Sequence, residues 1–313
     1  MTRFAIAFSS LVLASLGLVG HASAMVDDRD IARLVSFGGS CGKCDLSGRK
    51  LTGARFAGAE FIDSSFVGSD LRGATFTGSQ FDRARLAGAD LRGAEIANTD
   101  FSGADFTGAR LDGLDAPAAN FIHASFAGAT LTGAELPGAN LMFANLSSAR
   151  FDGVDMPRAK LIHVNASGAI FTSADLDGAM MSNARFDSAS FKGASLDRAT
   201  MIRSSFVGAD FRGASLDGAV LAGANLTGVR GLRQDQLDEA CGDEKTRLPA
   251  GLRIKACRGM VIVRTPQTPI SPPAPPVAPA PPARTAPAKP PKAPTAPPPP
   301  PRASISQIIA IRG

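Results

Sequence analysis

The chain has 313 residues, a formal net charge of +5 and four cysteines. The total conceals a division, because residues 25–244 hold 21 basic and 28 acidic residues whereas 11 basic and no acidic residues follow Glu244. An acidic body therefore carries a basic tail, which excludes a uniform charge of either sign, and beyond residue 24 no segment is long and apolar enough to span a bilayer.

Residues 1–24 read as a signal peptide: Arg3 supplies the positive start, Phe4 to Val19 an apolar run, and Ala22-Ser23-Ala24 a small-residue cleavage site. The expectation is an exported protein, periplasmic or extracellular, with no lipid anchor, since no cysteine stands at the cleavage point. Residues 25–44 read as an N-terminal cap, with a short helix from Asp27 to Val35 that carries acids in its first turn. Cys41-Gly42-Lys43-Cys44 follows it. Export permits disulfides, and the even count fits two local bridges, Cys41–Cys44 and Cys241–Cys257. Haem attachment needs His after the second cysteine, where this chain has Asp45, and a thioredoxin-type site needs a βαβ setting that nothing nearby supplies.

Residues 45–230 are dominated by a beat of five. Every fifth residue from Leu46 through Leu51, Phe56, Phe61 and Phe66 to Leu226 falls in one frame of 37 repeats, with few slots not large and apolar. Two residues before the large slot stands Ala in most repeats, with Ser a common substitute, and two residues after it Gly is usual. A period of five fits neither helix nor strand, so these side chains share an interior only if the chain turns a corner every five residues. A square coil of four such sides buries the large and small slots and leaves the other three residues in water. The exceptions agree: Ala116 and Ala166 occupy large slots while Leu114 and Val164 occupy the small slots beside them, an exchange that keeps core volume roughly constant.

The pattern, as in G-A-D-L-R-G at residues 88–93 and G-A-N-L-T-G at 223–228, resembles the pentapeptide-repeat family. The resemblance implies an all-β fold, a right-handed quadrilateral parallel β-helix. Function is less constrained, because members of that family do unrelated things.

Residues 231–264 read as a C-terminal cap, with a helix from Leu232 to Cys241 stopped by Gly242. Residues 265–313 form a basic Pro-rich tail that reads as a disordered polyproline spacer, ending in the apolar tag Ile305 to Ile311.

With four repeats per coil, residues 20 apart stack about 4.8 Å from one another, and each face reads as a column. One face sets opposite charges side by side, as in Asp70/Arg72, Asp90/Arg92, Arg110/Asp112 and Arg150/Asp152, and reads as a solvated surface. A second stacks acids at Glu95, Asp115, Glu135, Asp155 and Asp175, with Asp177, Asp197 and Asp217 displaced by two residues and Pro117, Pro137 and Pro157 alongside. It reads as a solvated ladder or as a site for cations or a basic partner. A third breaks the beat on its outside, where Ile122/His123, Met142/Phe143 and Ile162/His163 make an apolar patch over three coils. Its corner column runs Asp63, Arg83, Gly103, His123, Phe143, His163, Asn183, Arg203, Gly223. Bulky residues are outliers at positive φ, so this corner is expected to use turns that need none.

These features point to an exported, non-catalytic structural or interaction module. The candidate partner-binding residues are Ile122, His123, Met142, Phe143, Ile162 and His163, facing another protein or a second copy, the alternatives being a ladder that only stabilises neighbouring coils or docking of the C-terminal apolar tag, while the tail contacts anionic envelope components. A solid core leaves no cleft for catalysis, the glycines follow the beat rather than any phosphate-binding fingerprint, and no cofactor is expected. His123 and His163 stand two coils apart, about 10 Å, too far to share a metal ion. The alternative is an inhibitor acting through the acidic face or mimicking an anionic polymer. Some pentapeptide-repeat proteins resemble duplex DNA and inhibit topoisomerases, but export would separate this chain from such targets, and no nucleic-acid partner is expected.

Overall fold

The computed structural model describes residues 39–257. The signal peptide, the Asp27–Val35 helix and the Pro-rich tail expected from the sequence lie outside the described residues.

The chain winds as a right-handed quadrilateral parallel β-helix in which each residue before a large slot bridges the residue 20 positions on. Four parallel columns of single-residue bridges result, beginning Ser40↔Glu60, Asp45↔Ser65, Lys50↔Asp70 and Arg55↔Thr75. The five backbone N–H groups of a repeat have fixed destinations, as the repeat at Leu71 illustrates. Leu71 N donates to Asp90 O at 2.7 Å and Gly73 N to Arg92 O at 3.0 Å, both in the next coil. Ala74 N closes the turn onto Leu71 O, and Thr75 N reaches back to Ala54 O in the preceding coil. Arg72 N, facing water, is taken by the Asp70 carboxylate at 3.3 Å. This Asx turn recurs at Asp100/Ser102, Asn145/Ser147 and Asn225/Thr227 and explains why Asp and Asn so often precede the large residue.

The interior is filled by the large and small slots, fully buried through most of the coil. Phenylalanines 20 apart stack, with ring centroids 4.8 Å apart for Phe56–Phe76 and for Phe106–Phe126. Burial of each such side chain contributes about 1.5–3 kcal/mol. The exchanged pairs Leu114/Ala116 and Val164/Ala166 are buried together. Where Ser or Thr takes the small slot, its hydroxyl finds a carbonyl inside the wall, as Thr99 Oγ1 does with Phe76 O at 2.7 Å, so its burial leaves no orphaned polar atom.

The corners overturn one expectation. All 38 corner residues from Lys43 to Gly228 have φ between 54° and 70°, and 15 of them are not glycine. The Asp63–Gly223 corner does not switch turn type: Asp63, Arg83, His123, Phe143, His163, Asn183 and Arg203 all sit at φ of 55–62°. The reason is the hydrogen-bond ladder. Phe143 N donates to Ile162 O at 3.0 Å, and a turn without positive φ would turn that N–H away from the next coil. Leaving it unpaired costs about 1–3 kcal/mol, at least as much as the roughly 1–2 kcal/mol of a left-handed side chain.

Both ends differ from expectation too. Ser40 already bridges Glu60, so Cys41 and Cys44, joined by a disulfide, occupy the first large and small slots rather than a separate cap. Ser64 locks that turn by accepting from Cys44 N at 3.0 Å and donating to Cys41 O at 2.7 Å. At the other end the expected helix Leu232–Cys241 is cut to one turn, α1 (Gln234–Leu237). Coil register wins over helix propensity: Cys241 N donates to Ala219 O and Leu221 N to Cys241 O, which draws Cys241 into strand. Gly242 is no helix stop; β1 (Cys241–Gly242) pairs in parallel with β2 (Lys255–Ala256), and a Cβ on Gly242 would meet Thr246 Oγ1 at 2.8 Å. From α1, buried Gln236 donates through Nε2 to Phe211 O, which also takes Ala214 N, and to Ala214 O, which the last coil would leave bare. The Cys241–Cys257 disulfide ties this cap together.

Nothing lies within 4 Å of a Cβ built on Gly133, whose φ is 62°. Gly133→Ala is therefore expected to cost about 1 kcal/mol through φ alone, and Ala118→Gly, at φ 54°, to stabilise by a similar amount; thermal melts of the two variants check the pair of signs. For the interior, Leu114→Ala should cost about 2–5 kcal/mol and Ala116→Leu about 1–3 kcal/mol. The double variant, which restores the common order of slots, should recover most of both losses in a denaturant titration, and additive losses would show that the two slots do not share one space.

Candidate functional site

Of the surface columns, the one bearing Ile122, Met142 and Ile162 departs furthest from a solvated wall. Its geometry begins with Asn120 and Asn140, whose side-chain oxygens accept from Ile122 N at 3.4 Å and Met142 N at 3.3 Å. These Asx turns hold the apolar residues half-buried at the edge of the wall and present the next residue at the corner. His123, Phe143 and His163 are exposed there, Phe143 by 46%. Their rings form a ladder, with centroids 5.0 Å apart at 18° for His123–Phe143 and 4.9 Å apart at 6° for Phe143–His163. The structure thus brings all six candidate residues into one strip. Below them Arg83 forks onto Asp63 at 2.7 and 3.0 Å, which holds the Asp63 carboxyl below its usual range.

Sequence reading missed Met180, exposed by 41%. It occupies the slot before a large residue, 18 positions after Ile162. Asn120 Nδ2 reaches Ser102 Oγ, also 18 positions apart, at 3.0 Å, and the same relation sets Met180 beside Ile162, extending the strip by a coil. That 18-residue offset between neighbouring columns was the signal available in the sequence.

The acidic column is continuous, with bridges Glu95↔Asp115↔Glu135↔Asp155↔Asp175, and among the described residues no ion pair reaches Glu95, Asp115, Glu135 or Asp155. Its neighbours are not all acidic. Arg158 and Arg198 stand at the adjoining corner, Arg198 lies 3.4 Å from Asp177, and both arginines line a shallow depression with Pro137, Pro157, Asp175 and Asp177. Among the described residues no group of three or more His, Cys, Asp or Glu is placed to hold a metal ion, and no helix is long and apolar enough to cross a membrane.

The charge-paired face has real hydrogen bonds. Arg72 and Arg92 fork onto Asp70 and Asp90 at 2.7–2.8 Å, and Arg150 lies 3.2 Å from Asp152. Arg110 instead approaches Asp90, at 3.9 Å, while Asp112 accepts from Thr130 Oγ1 and Thr132 N. Asp210 is the buried member, 1% exposed. The hydrogen-bonded Arg212 guanidinium pulls its carboxyl down to about 2 against the opposing effect of burial. Its ionised form therefore stabilises the fold fully above the ordinary carboxylate value of about 4, and that contribution fades as pH falls toward 2. Asp210→Asn is expected to be less stable at pH 7 and to lose less than the parent between pH 4 and pH 2, as melts across that range would show.

Two family descriptions match the coil: "Pentapeptide repeats (8 copies)" over residues 40–78, 79–115, 119–156 and 158–193, and "Pentapeptide repeats (9 copies)" over 186–230. No curated protein matches the chain. Among solved structures it is similar to HetL, a pentapeptide repeat protein involved in heterocyst differentiation regulation from the cyanobacterium Nostoc sp. strain PCC 7120, at 27% identity over 70% of this chain and 98% of that one, TM-score 0.38. It is similar also to trypsin-treated QnrB1, a plasmid-mediated fluoroquinolone resistance protein, at 22% identity over 66% and 90%, TM-score 0.37. A third similar structure is a pentapeptide repeat protein from the Arabidopsis thaliana thylakoid lumen, at 26% identity over 55% and 79%, TM-score 0.11. With the repeat models matched from residue 40 to residue 230 in the frame that the buried slots follow, the chain belongs to the pentapeptide-repeat family.

Proposed function

We propose that this chain is a non-catalytic interaction module, exported by its N-terminal segment, that binds a protein through the strip from Ile122 to His163. The observation that carries this reading is the conformation of Phe143. Glycine fills 23 of the 38 corners without strain, yet here a phenylalanine is held at φ 62° and 46% exposed. Strained side chains that point to solvent are a mark of functional surface, and exposed apolar patches rimmed by polar groups are where partners dock. The two ring contacts of the ladder return about 0.5–1.5 kcal/mol each, which roughly offsets the strain and adds little net stability. In this reading the basic tail, residues 265–313, contacts anionic components of the cell envelope. A second reading, inhibition through the acidic face, is favoured by the run of unpaired acids from Glu95 to Asp155 and opposed by Arg158 and Arg198 beside it.

Phe143→Gly tests the first reading without endangering the fold, because glycine is at ease at this φ. The expected outcome is a melting point equivalent to within about 1 kcal/mol of the parent together with loss of the proteins retained from an envelope extract by the mature chain. Ala118→Gly, at a corner on another face, serves as the control that retains them. Unchanged retention by Phe143→Gly, with loss on reversing Asp115, Glu135 and Asp155, would transfer the function to the acidic face.

A further inference from the structure

The strip is symmetric about its middle coil. Its inner column reads Ser102, Ile122, Met142, Ile162, Ser182, and its corner column His123, Phe143, His163, the same in either direction. A two-fold axis along the strand direction through Met142 and Phe143 reverses coil order while keeping each column opposite itself. Ile122 would then meet the other copy's Ile162, and His123 its His163, with Phe143 against Phe143. A surface that matches its own reversed copy is what an isologous pair requires.

The charges on this face select the antiparallel arrangement. Before the middle coil the face carries Glu60, Asp63, Asp82 and Asp100 against Lys43 and Arg83; after it, Lys160 and Arg203 stand with no acid. Antiparallel pairing sets the more acidic half of each copy against the basic half of the other, whereas parallel pairing sets like against like; in the corner column Arg203 then falls opposite the other copy's Arg83, whose charge Asp63 already holds, with Asp82 one column over. Asp82, three coils below the centre, and Arg203, three coils above it, have no ion-pair partner among the described residues. Burial and the neighbouring Asp100 push the Asp82 carboxyl up, an environment that an incoming guanidinium relieves.

Building on the proposed binding strip, we infer that its partner is a second copy of this chain, docked antiparallel about Phe143. The face runs about nine coils, roughly 40 Å, and is three or four residues wide, roughly 10–14 Å. Pairing would bury on the order of 1,000 Å² in total, the low end for a specific interface, so the dimer is reversible and micromolar in strength.

Sedimentation equilibrium of the full mature chain tests this. Phe143→Gly, which removes both rings on the axis, should weaken dimerisation about tenfold. Cysteine cross-linking reads the direction: Ile122→Cys and Ile162→Cys chains should cross-link when mixed and not when alone. Cross-linking of each alone would overturn the antiparallel arrangement. A chain that stays monomeric at 100-fold above micromolar concentration, about 100 μM, while Phe143→Gly still loses another protein, would overturn the dimer and leave the binding strip standing. A monomeric chain whose retained proteins are indifferent to Phe143→Gly would overturn both.

Discussion

One backbone hydrogen bond governs this molecule, the one donated by the corner residue to a carbonyl in the next coil, as from Gly73 to Arg92 or Phe143 to Ile162. It is donated by corner residues at positive φ, which all 38 corners from Lys43 to Gly228 adopt; at the last coil Gly213, Gly223 and Gly228 keep that φ without a backbone carbonyl to meet. Once that φ is set, the rest follows within a narrow range. The turn closes onto the large residue, the small slot comes in under the wall, and the residue between turns bridges its counterpart 20 positions on. Glycine is the cheapest occupant of the corner, yet the chain accepts side chains at 15 of them, because the ladder loses more than a left-handed residue costs.

The interior and the exterior are thereby decoupled. Phe and Leu stack on Phe and Leu inside, and no wall position needs to change when an outward residue does. Each face becomes a column on which neighbouring coils speak mainly to one another: Asp63 to Arg83, His123 to Phe143 to His163, and Glu95 onward in an unbroken acidic row. The strained corners gather on one of the four edges, where eight of ten residues from Lys43 to Gly223 are not glycine. A rigid backbone holds these side chains in place, so an aromatic ladder can be displayed to solvent without a pocket around it.

The ends show how the same ladder is terminated. At the start of the described residues, the Cys41–Cys44 disulfide fills the first large and small slots. At the finish, Gln236 supplies side-chain amide hydrogens to two carbonyls, and Asp243 and Thr246 do similar work at Gly223 and Leu221. Polar side chains thus replace the backbone groups of a coil that is not there, which lessens the exposed strand edge.

By itself the sequence determined the period, the frame of the buried slots and the register of 20, because a repeat of five with alternating large and small residues has one way to bury them all. Even the exchanged slots at Leu114/Ala116 and Val164/Ala166 were legible as a conserved volume. The tertiary structure decided what depends on hydrogen bonds between coils. Side-chain preference suggested a different turn at the Phe143 corner, but the N–H bond to Ile162 O outweighed it. Helix propensity suggested a longer helix after Leu232, but Cys241 was drawn into register with Val220. The place of Met180 beside Ile162, and the pairing of Arg110 with Asp90 rather than Asp112, likewise arise from neighbours 18 and 20 residues away. A reading along one strand weighs local terms, and in a parallel coil the deciding partners always lie one turn above or below.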